Sequence, residues 1–150
     1  MNKFKFLTVI LFVLYSCSYQ PILKNKEYNF QFADIKFDEK TKINKMIENH
    51  LSRKSSGTNK YNIFYETSKN KNIIATNKKG DPTVYTLIID INYRITKNEL
   101  NIVNAKLSKQ TTYNNIDDKF ELSKKEDDII SFLAEDISDE ILKSMLSVIE

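Results

Sequence analysis

The sequence predicts an α+β domain of order β-α-β-β-β-α, with two helices packed on one face of a four-stranded mixed sheet. Residues 84–95 alternate between apolar and polar side chains, which indicates a half-buried strand. Residues 130–145 place apolar side chains at steps of three or four, which indicates an amphipathic helix. Because the apolar face of a sheet and the apolar stripes of helices bury each other, we expect two layers.

The composition is that of one folded domain. The chain has 150 residues, of which 41% are hydrophobic and 29% charged, so disorder throughout is not expected. The formal net charge of +3, without a long basic run, argues against nucleic-acid binding. One cysteine and one histidine exclude an internal disulfide and argue against a zinc site or a Cys/His dyad. We expect no cofactor.

The N-terminal segment has the pattern of a secretory signal. Residues 1–5, MNKFK, are positively charged, and residues 6–15, FLTVILFVLY, are apolar apart from Thr8. Ten helical residues span about 15 Å, which is roughly half of a bilayer core. The apolar run is therefore too short for a transmembrane anchor, and we assign residues 1–16 to a signal peptide.

The only cysteine, Cys17, ends the sequence LYSC, which resembles the bacterial lipobox. In that motif the cysteine sulfur receives a diacylglyceryl group, the signal is cut before the cysteine, and the new amino group is acylated. Several acyl chains, at about 0.8 kcal/mol per buried CH₂, hold a protein on a membrane. We expect lipidation of Cys17, a tether over residues 17–27 and a domain over residues 28–150. An ordinary signal peptide followed by an incidental cysteine remains the alternative.

The first strand and first helix are predicted over residues 28–37 and 38–54. In the strand, the apolar alternation changes phase near Ala33, which predicts a β-bulge that puts Ile35 and Phe37 on the face opposite Phe30. In the helix, Asp38 is the expected N-cap, and Gly57 follows the C-terminal end. The apolar stripe consists of Ile43, Met46, Ile47 and Leu51, with His50 beside it in a semi-buried packing role.

The next three strands follow in antiparallel order. Residues 61–67 form the second strand, which residues 72–76 extend, and NKKGDP over residues 77–82 is the strongest turn signal. The third strand has one wholly apolar face, made of Tyr85, Leu87, Ile89, Ile91, Tyr93 and Ile95. A hairpin turn over residues 96–99 leads to the fourth strand, residues 100–114.

The last helix is predicted from a capping box, Ser123 to Glu126. Its apolar stripe comprises Ile130, Leu133, Ile137, Ile141 and Met145, with Phe132 and Leu142 beside it. Because the first two strands enclose a helix, they are expected to pair in parallel. This topology puts the tether at one end of the domain and a set of lysines at the other. The set comprises Lys40, Lys42, Lys69, Lys71, Lys78, Lys79, Lys119, Lys124 and Lys125, and the four lysines between positions 69 and 79 are expected in one loop.

The function of that lysine-bearing end stays open at this point. Six carboxylates share it, and charges in loops are commonly only solvated: Asp38, Asp81, Asp117, Asp118, Glu121 and Glu126. Contact with a polyanion is the functional alternative. We expect no enzyme, because no histidine, serine-nucleophile motif or Gly-rich phosphate loop supports the carboxylates Asp81, Asp90, Asp117 and Asp118.

Several stretches together resemble the LPS-assembly lipoprotein family, LptE. They are CSYQP after the signal, with Ser18 in place of the commoner glycine, then DPTVYTLIIDINYRI, a strand ending in TTYN, and a long acidic C-terminal helix. The resemblance implies a lipoprotein anchored in the inner leaflet of the outer membrane. It would plug the β-barrel LptD, help that barrel to assemble and bind lipopolysaccharide. The residue after Cys17 is serine and not aspartate, and by resemblance to the sorting of bacterial lipoproteins this favours the outer membrane over the inner one.

The resemblance also implies which surfaces would act. The polar sheet face of Asp90, Asn92 and Arg94 would suit the wet interior of a large barrel. Lysines at the end opposite the tether could contact the phosphates of lipid A: Lys78, Lys79, Lys119, Lys124 and Lys125. The alternative function is a lipid-anchored adaptor of another envelope complex, in barrel assembly or secretion.

Overall fold

The computed structural model describes residues 28–149 and confirms the predicted element order. The signal peptide, Cys17 and the tether lie outside the described residues. The elements are β1 (Phe30–Phe37), α1 (Lys42–Lys54), β2 (Asn59–Thr76), β3 (Pro82–Lys97), β4 (Leu100–Asn114) and α2 (Lys119–Ile149).

The four strands form one mixed sheet in the order β1-β2-β3-β4. β1 pairs in parallel with β2, and the other two pairs are antiparallel, as predicted. The β2–β3 turn contains Gly80, and the β3–β4 hairpin turns through Asn98 and Glu99, which have φ angles of 49° and 67°. These left-handed angles are those of a two-residue hairpin turn.

The predicted bulge in β1 is confirmed, but its consequence for the side chains differs from the prediction. The register shifts between Phe32 and Asp34, after which Ile35 pairs with Ile63. The extra residue at the bulge resets the alternation, so Ile35 and Phe37 lie on the same face as Phe32. The prediction that they face the other way is wrong, because a bulge moves all later residues by one position.

β2 is more than twice as long as its neighbour β1. Pairing with β1 ends at Phe37 opposite Tyr65, whereas β2 continues to Thr76 with β3 on its other side. Lys69 and Lys71, which were expected in a loop, therefore lie within this strand. The sheet thus extends beyond β1 toward the 77–81 turn. We call this the distal end, and the end with Tyr28 and the β3–β4 turn the proximal end.

The core lies between the sheet and the two helices. Its largest fully buried side chains come from both helices and from strands β1, β2 and β3, and they include Phe30, Ile47, Leu51, Tyr65, Ile89, Ile91, Ile95, Leu133, Ile137 and Ile141. The predicted apolar face of β3 is buried from Leu87 to Ile95, and Leu142 of α2 is fully buried. Phe132, predicted to lie beside the apolar stripe of α2, is instead 63% exposed.

Both helices begin elsewhere than predicted. α1 is capped by Thr41, whose Oγ1 accepts a hydrogen bond from the backbone N–H of Asn44 at 3.1 Å, and not by Asp38. α2 is capped by Asp118, whose Oδ1 accepts from the backbone N–H groups of Phe120 and Glu121. The predicted capping residue Ser123 lies in the second turn of the helix. In the part of the chain that the structure describes, neither helix is long and apolar enough to span a membrane.

Candidate functional site

The distal end is built from two loops, of which the first is the β2–β3 turn. The side-chain Oδ1 of Asn77 accepts hydrogen bonds from the backbone N–H groups of Lys79 and Asp81, at 2.8 and 3.0 Å. Gly80 supplies a φ of +88°, which an L side chain rarely adopts. Because the backbone is fixed in this way, Lys78 and Lys79 project from the outermost part of the sheet.

The second loop joins β4 to α2 and is bound to the first. The backbone N–H of Asn115 donates to the carbonyl of Thr83 at 2.8 Å, and its side-chain Nδ2 donates to the carbonyl of Pro82 at 2.8 Å. Between the loops lies a polar depression of about 460 Å³, lined by residues that include Asp81, Asp117 and Lys119. The two loops thus form one continuous polar surface.

The structure brings part of the predicted lysine set together. Lys78 and Lys79 lie in the turn, and Lys119 begins α2 in the adjacent loop. Lys124 and Lys125 lie one to two turns further along the helix. All five are exposed, and within residues 28–149 none of them forms an ion pair. Their ammonium groups are therefore available to an anion.

Two other lysines of the predicted set have structural partners instead. Lys42 forms an ion pair with Asp127 at 2.8 Å, which joins the start of α1 to α2. Lys71 binds Glu126 and stands 4.0 Å from the centre of the Tyr85 ring. These two lysines stabilise the packing of the distal half, so they do not belong to the free set.

Glu126 is a residue whose role sequence reasoning missed. It accepts hydrogen bonds from Lys71 and, at 2.7 Å, from the hydroxyl of Tyr113. Burial alone would raise the pKa of Glu126, but these two hydrogen bonds and the positive charges of Lys71 and Lys69 together hold the pKa below its ordinary value. The pKa of Tyr113 is raised by burial and by donation to this carboxylate. The sequence pattern assigned Glu126 to a capping box, so it did not reveal that this side chain joins three elements.

The distal surface also carries acidic groups, which limits the strength of any anion attraction. Asp81 accepts from the side chain of Asn77 at 2.9 Å, and Asp118 is committed to capping α2. Asp117 lines the depression, and Glu121 lies exposed on α2. The surface is therefore suited to several ionic contacts spread over a large multivalent anion, more than to one deep site for a small one.

The second extended surface is the outer face of the sheet, opposite the helices. Asn92 and Arg94 are exposed there and Asp90 is half-buried. Their neighbours across the sheet are also mostly polar, with Glu66 and Lys106 beside Asn92, and Ser68 and Ser108 beside Asp90. Within the described part of the chain this face remains open, and it offers a mostly polar surface across β2, β3 and β4.

A third cluster joins the two helices near the proximal end. Nε2 of His50 lies 2.9 Å from Oδ1 of Asp139, and the same oxygen accepts from Lys54 at 2.7 Å. Burial would raise the pKa of Asp139, but the hydrogen bonds and the charges of Lys54 and His50 together lower it. His50 is only 6% exposed, which agrees with the predicted packing role and adds a hydrogen bond that the sequence did not reveal.

The carboxylates considered for catalysis are not assembled into one site. Asp90 lies on the outer sheet face, while Asp81, Asp117 and Asp118 belong to the distal loops. Among residues 28–149 there is no group of three or more Asp, Glu, His or Cys side chains that could hold a metal ion. The absence of enzymatic activity stays a prediction.

The fold is similar to that of several solved bacterial lipoproteins. The rare lipoprotein B of Shewanella oneidensis matches with a TM-score of 0.60 and 14% identity, over 76% of this chain and 94% of that one. The lipoprotein B of Nitrosomonas europaea matches with a TM-score of 0.55 and 12% identity, over 79% and 86%. A minor lipoprotein of Acinetobacter baumannii matches with a TM-score of 0.53 and 13% identity, over 76% and 90%.

At these identities the similarity shows a shared fold. No family model and no curated protein matches the chain.

Proposed function

We propose that the protein is a lipid-anchored lipoprotein of the bacterial outer membrane that acts as the partner of a large β-barrel of the LptD type. In this role it occupies part of the barrel interior, assists barrel assembly and takes part in delivering lipopolysaccharide to the cell surface. The LYSC sequence at Cys17 supplies the anchor, and the shared fold with bacterial lipoproteins supports the same class of protein.

The observation that carries the proposal is the open polar face of the sheet. Both helices bury their apolar stripes on one face, while Asn92 and Arg94 remain exposed on the other. The core uses only the helix-covered face of the sheet, so core packing requires no more of the open face than that it be polar. However, the lumen of a large outer-membrane barrel is itself polar and hydrated, so a flat polar sheet can enter it without losing hydrogen bonds to water.

The exposed lysines of the distal end support the lipopolysaccharide part of the proposal. Lys78 and Lys79 in the turn and Lys119 in the adjacent loop lie at the distal end, and Lys124 and Lys125 lie one to two turns further along α2. Each ammonium can donate to a phosphate oxygen of lipid A as a charge-assisted hydrogen bond. Since the described chain begins with Tyr28 at the proximal end, a tether leading back to Cys17 would leave these lysines at the end far from the anchor.

Site-specific photo-crosslinking in cells tests the barrel partnership. A photoreactive residue at Asn92, on the outer face, is expected to crosslink to a large outer-membrane β-barrel, whereas the same residue at Asn49, exposed on α1, serves as the matched control. Isolation from outer membranes should recover the barrel in equal amounts. Recovery of the protein alone, or with inner-membrane proteins, would contradict the proposal, and recovery of a different complex would favour the adaptor alternative.

The anchor is tested separately by mass spectrometry of the processed protein. Lipidation adds the mass of a diacylglyceryl group and an acyl chain at Cys17, and Cys17→Ala is expected to abolish both modification and membrane retention. An unmodified thiol on the processed chain, with the protein still membrane-bound, would refute the assignment.

A further inference from the structure

The proximal end carries three exposed apolar side chains, Leu100, Val148 and Ile149, which we call the apolar patch, and we propose that they enter the headgroup boundary of a lipid bilayer. This inference depends on the proposed lipid anchor and goes beyond it. Before the domain joins its barrel partner, the anchor alone would leave it free to tumble on its tether. The patch would hold it upright, with the distal lysines directed away from the membrane.

Leu100 is the most exposed aliphatic side chain of the described residues, at 70%. It follows the left-handed residues Asn98 and Glu99, so it sits at the tip of the β3–β4 hairpin. Its cross-strand partner is Lys97, whose Nζ lies 4.9 Å from the centre of the Tyr61 ring. Tyr61 belongs to the buried, helix-covered face, and Leu100 therefore projects on the side of the sheet where α2 ends.

The C-terminal end of α2 supplies the rest of the patch. Val148 and Ile149 are 50% and 39% exposed, although Met145, one turn earlier, is fully buried. The hydroxyl of Tyr93 donates to Oγ of Ser144 at 2.9 Å, which fixes the end of the helix over the proximal part of β3. Exposed apolar side chains thus lie both at the end of the helix and at the tip of the hairpin.

The charges around this end suit an anionic leaflet. Lys60, Lys97 and Arg53 lie at the starts or ends of their elements there, and within residues 28–149 none of the three has an ion-pair partner. Glu99 is the acidic residue of the hairpin tip. Basic residues beside an exposed apolar patch are typical of proteins that lie on membrane interfaces.

The length of the tether makes the contact geometrically available. Eleven residues separate the start of the mature chain from Tyr28, and an extended chain covers at most about 3.6 Å per residue, so the proximal end stays within roughly 40 Å of the anchored cysteine. Three side chains are too few for a stable protein interface. They are sufficient for contact with a bilayer that the lipid anchor already holds close to the domain, because tethering raises the effective local concentration.

A single-thiol label measures this contact directly. Since lipidation blocks the sulfur of Cys17, Leu100→Cys introduces the only free thiol, and Phe120→Cys, 80% exposed at the distal end, is the matched control. Both lipidated full-length proteins carry an environment-sensitive fluorophore and are placed in vesicles of phosphatidylethanolamine and phosphatidylglycerol. We expect blue-shifted emission at position 100 and several-fold stronger quenching by nitroxide lipids than at position 120.

Equal, weak quenching at both positions would overturn the inference. A blue shift at position 100 without quenching by nitroxide lipids would also overturn it, because the tether or a second protein molecule would then cover the patch. Failure of the anchor is distinguishable, since the protein would neither float with vesicles nor lose the thiol reactivity of Cys17. A third label at Val148→Cys guards against a local effect of the Leu100 substitution and is expected to behave like position 100.

Discussion

Asn44 shows how one polar side chain joins three elements of this fold. It is fully buried near the start of α1, where its Nδ2 donates to the carbonyl of Glu39 at 2.7 Å and its Oδ1 accepts from Thr67 at 2.7 Å. The hydroxyl of Tyr65 donates to its backbone carbonyl at 2.8 Å. Asn44 thus connects the β1–α1 loop, α1 and β2 at the point where β1 stops pairing.

We expect Asn44→Ala to lower the free energy of unfolding by about 2 kcal/mol, because the Thr67 hydroxyl and the Glu39 carbonyl lose partners in a partly buried site. Urea denaturation monitored by circular dichroism measures this change. The control Asn49→Ala, exposed on the same helix, should change the unfolding free energy by less than about 0.5 kcal/mol. Equal effects of the two substitutions would show that the buried network contributes nothing.

Residues of this kind explain why sequence alone described the site only partly. The alternation of β3 and the stripe of α2 follow from nearby residues, so both could be read directly. The bond of Asn44 to Thr67, and the Glu126 contact with Lys71 and Tyr113, join positions 13 to 55 residues apart. Local pattern contains no information about such pairs. It consequently assigned Glu126 to a cap and Lys71 to a loop.

At the scale of elements, the two glycines of the chain perform different tasks. Gly57 lies against β1, where an added Cβ would come within 2.2 Å of the backbone of Asn29 and Phe30, and its N–H donates to the carbonyl of Phe30 at 2.9 Å. Gly80 has a φ of +88° with open space around it. The first is required by close packing of an element, and the second by the conformation of a turn.

Alanine at these positions should therefore have unequal costs. Gly57→Ala must displace β1 and is expected to destabilise the fold by about 3 kcal/mol. Gly80→Ala meets no atom, and strained backbone alone costs about 1 kcal/mol. Denaturant unfolding of both variants gives the comparison. A Gly80→Ala cost as large as that of Gly57→Ala would contradict the described contact between residue 57 and β1.

The contact between the two helices predicts a pH dependence. The pKa of Asp139 is lower in the folded protein than its ordinary value, so the folded state binds fewer protons in the acidic range. Its stabilisation is complete above the unfolded pKa and is lost as the pH falls through the folded pKa, so the unfolding free energy should decline below about pH 5. Since Asp139 is partly exposed, we expect its share to be under about 1 kcal/mol.

Lys54→Met is expected to flatten this acid limb, because it removes a hydrogen bond that lowers the pKa of Asp139. Lys106→Met removes an exposed lysine on the outer sheet face and is the matched control. Chemical denaturation at a series of pH values from 3 to 7 gives the two slopes. Identical slopes would mean that Lys54 does not hold the carboxylate in its ionised form.

Element boundaries were predicted less well than the elements themselves, and the helix starts show why. The residues around 38–41 and 117–123 offer several side chains that can cap a helix. The position at which the sheet fixes the preceding loop decides which of them becomes the cap. In α2, the hydrogen bond between Asn115 and Thr83 fixes that loop, and Asp118 then caps the helix. Tertiary contacts thus decided between caps that are locally equivalent.

For the whole molecule, the arrangement separates two surfaces by the length of the sheet. The hairpins β2–β3 and β3–β4 turn at opposite ends, so Tyr28, where the described chain begins, and Leu100 lie at one end, and Lys78 and Lys79 at the other. This opposition could be derived from the sequence, since it requires only the order and direction of strands. The extension of β2 beyond the end of β1 could not be derived, because the sequence of β2 does not show where β1 stops pairing with it.

The separation predicts that anion binding and membrane attachment fail independently. The double variant Lys78→Ala/Lys79→Ala is expected to bind lipopolysaccharide about tenfold more weakly, since two exposed ionic contacts contribute about 0.5–1 kcal/mol each. The double variant Lys45→Ala/Lys106→Ala has the same net charge but alters exposed lysines outside the distal loops. Both variants should float with vesicles like the unaltered lipoprotein.

Binding to immobilised lipopolysaccharide at two salt concentrations provides the measurement. The affinity of the unaltered protein should fall with salt more steeply than that of the Lys78/Lys79 variant, because fewer ionic contacts remain to be screened. Equal losses in both double variants would mean that net charge, and not the distal surface, attracts the anion. Such a result would leave the fold and the anchor in place but remove the distal end from the proposed function.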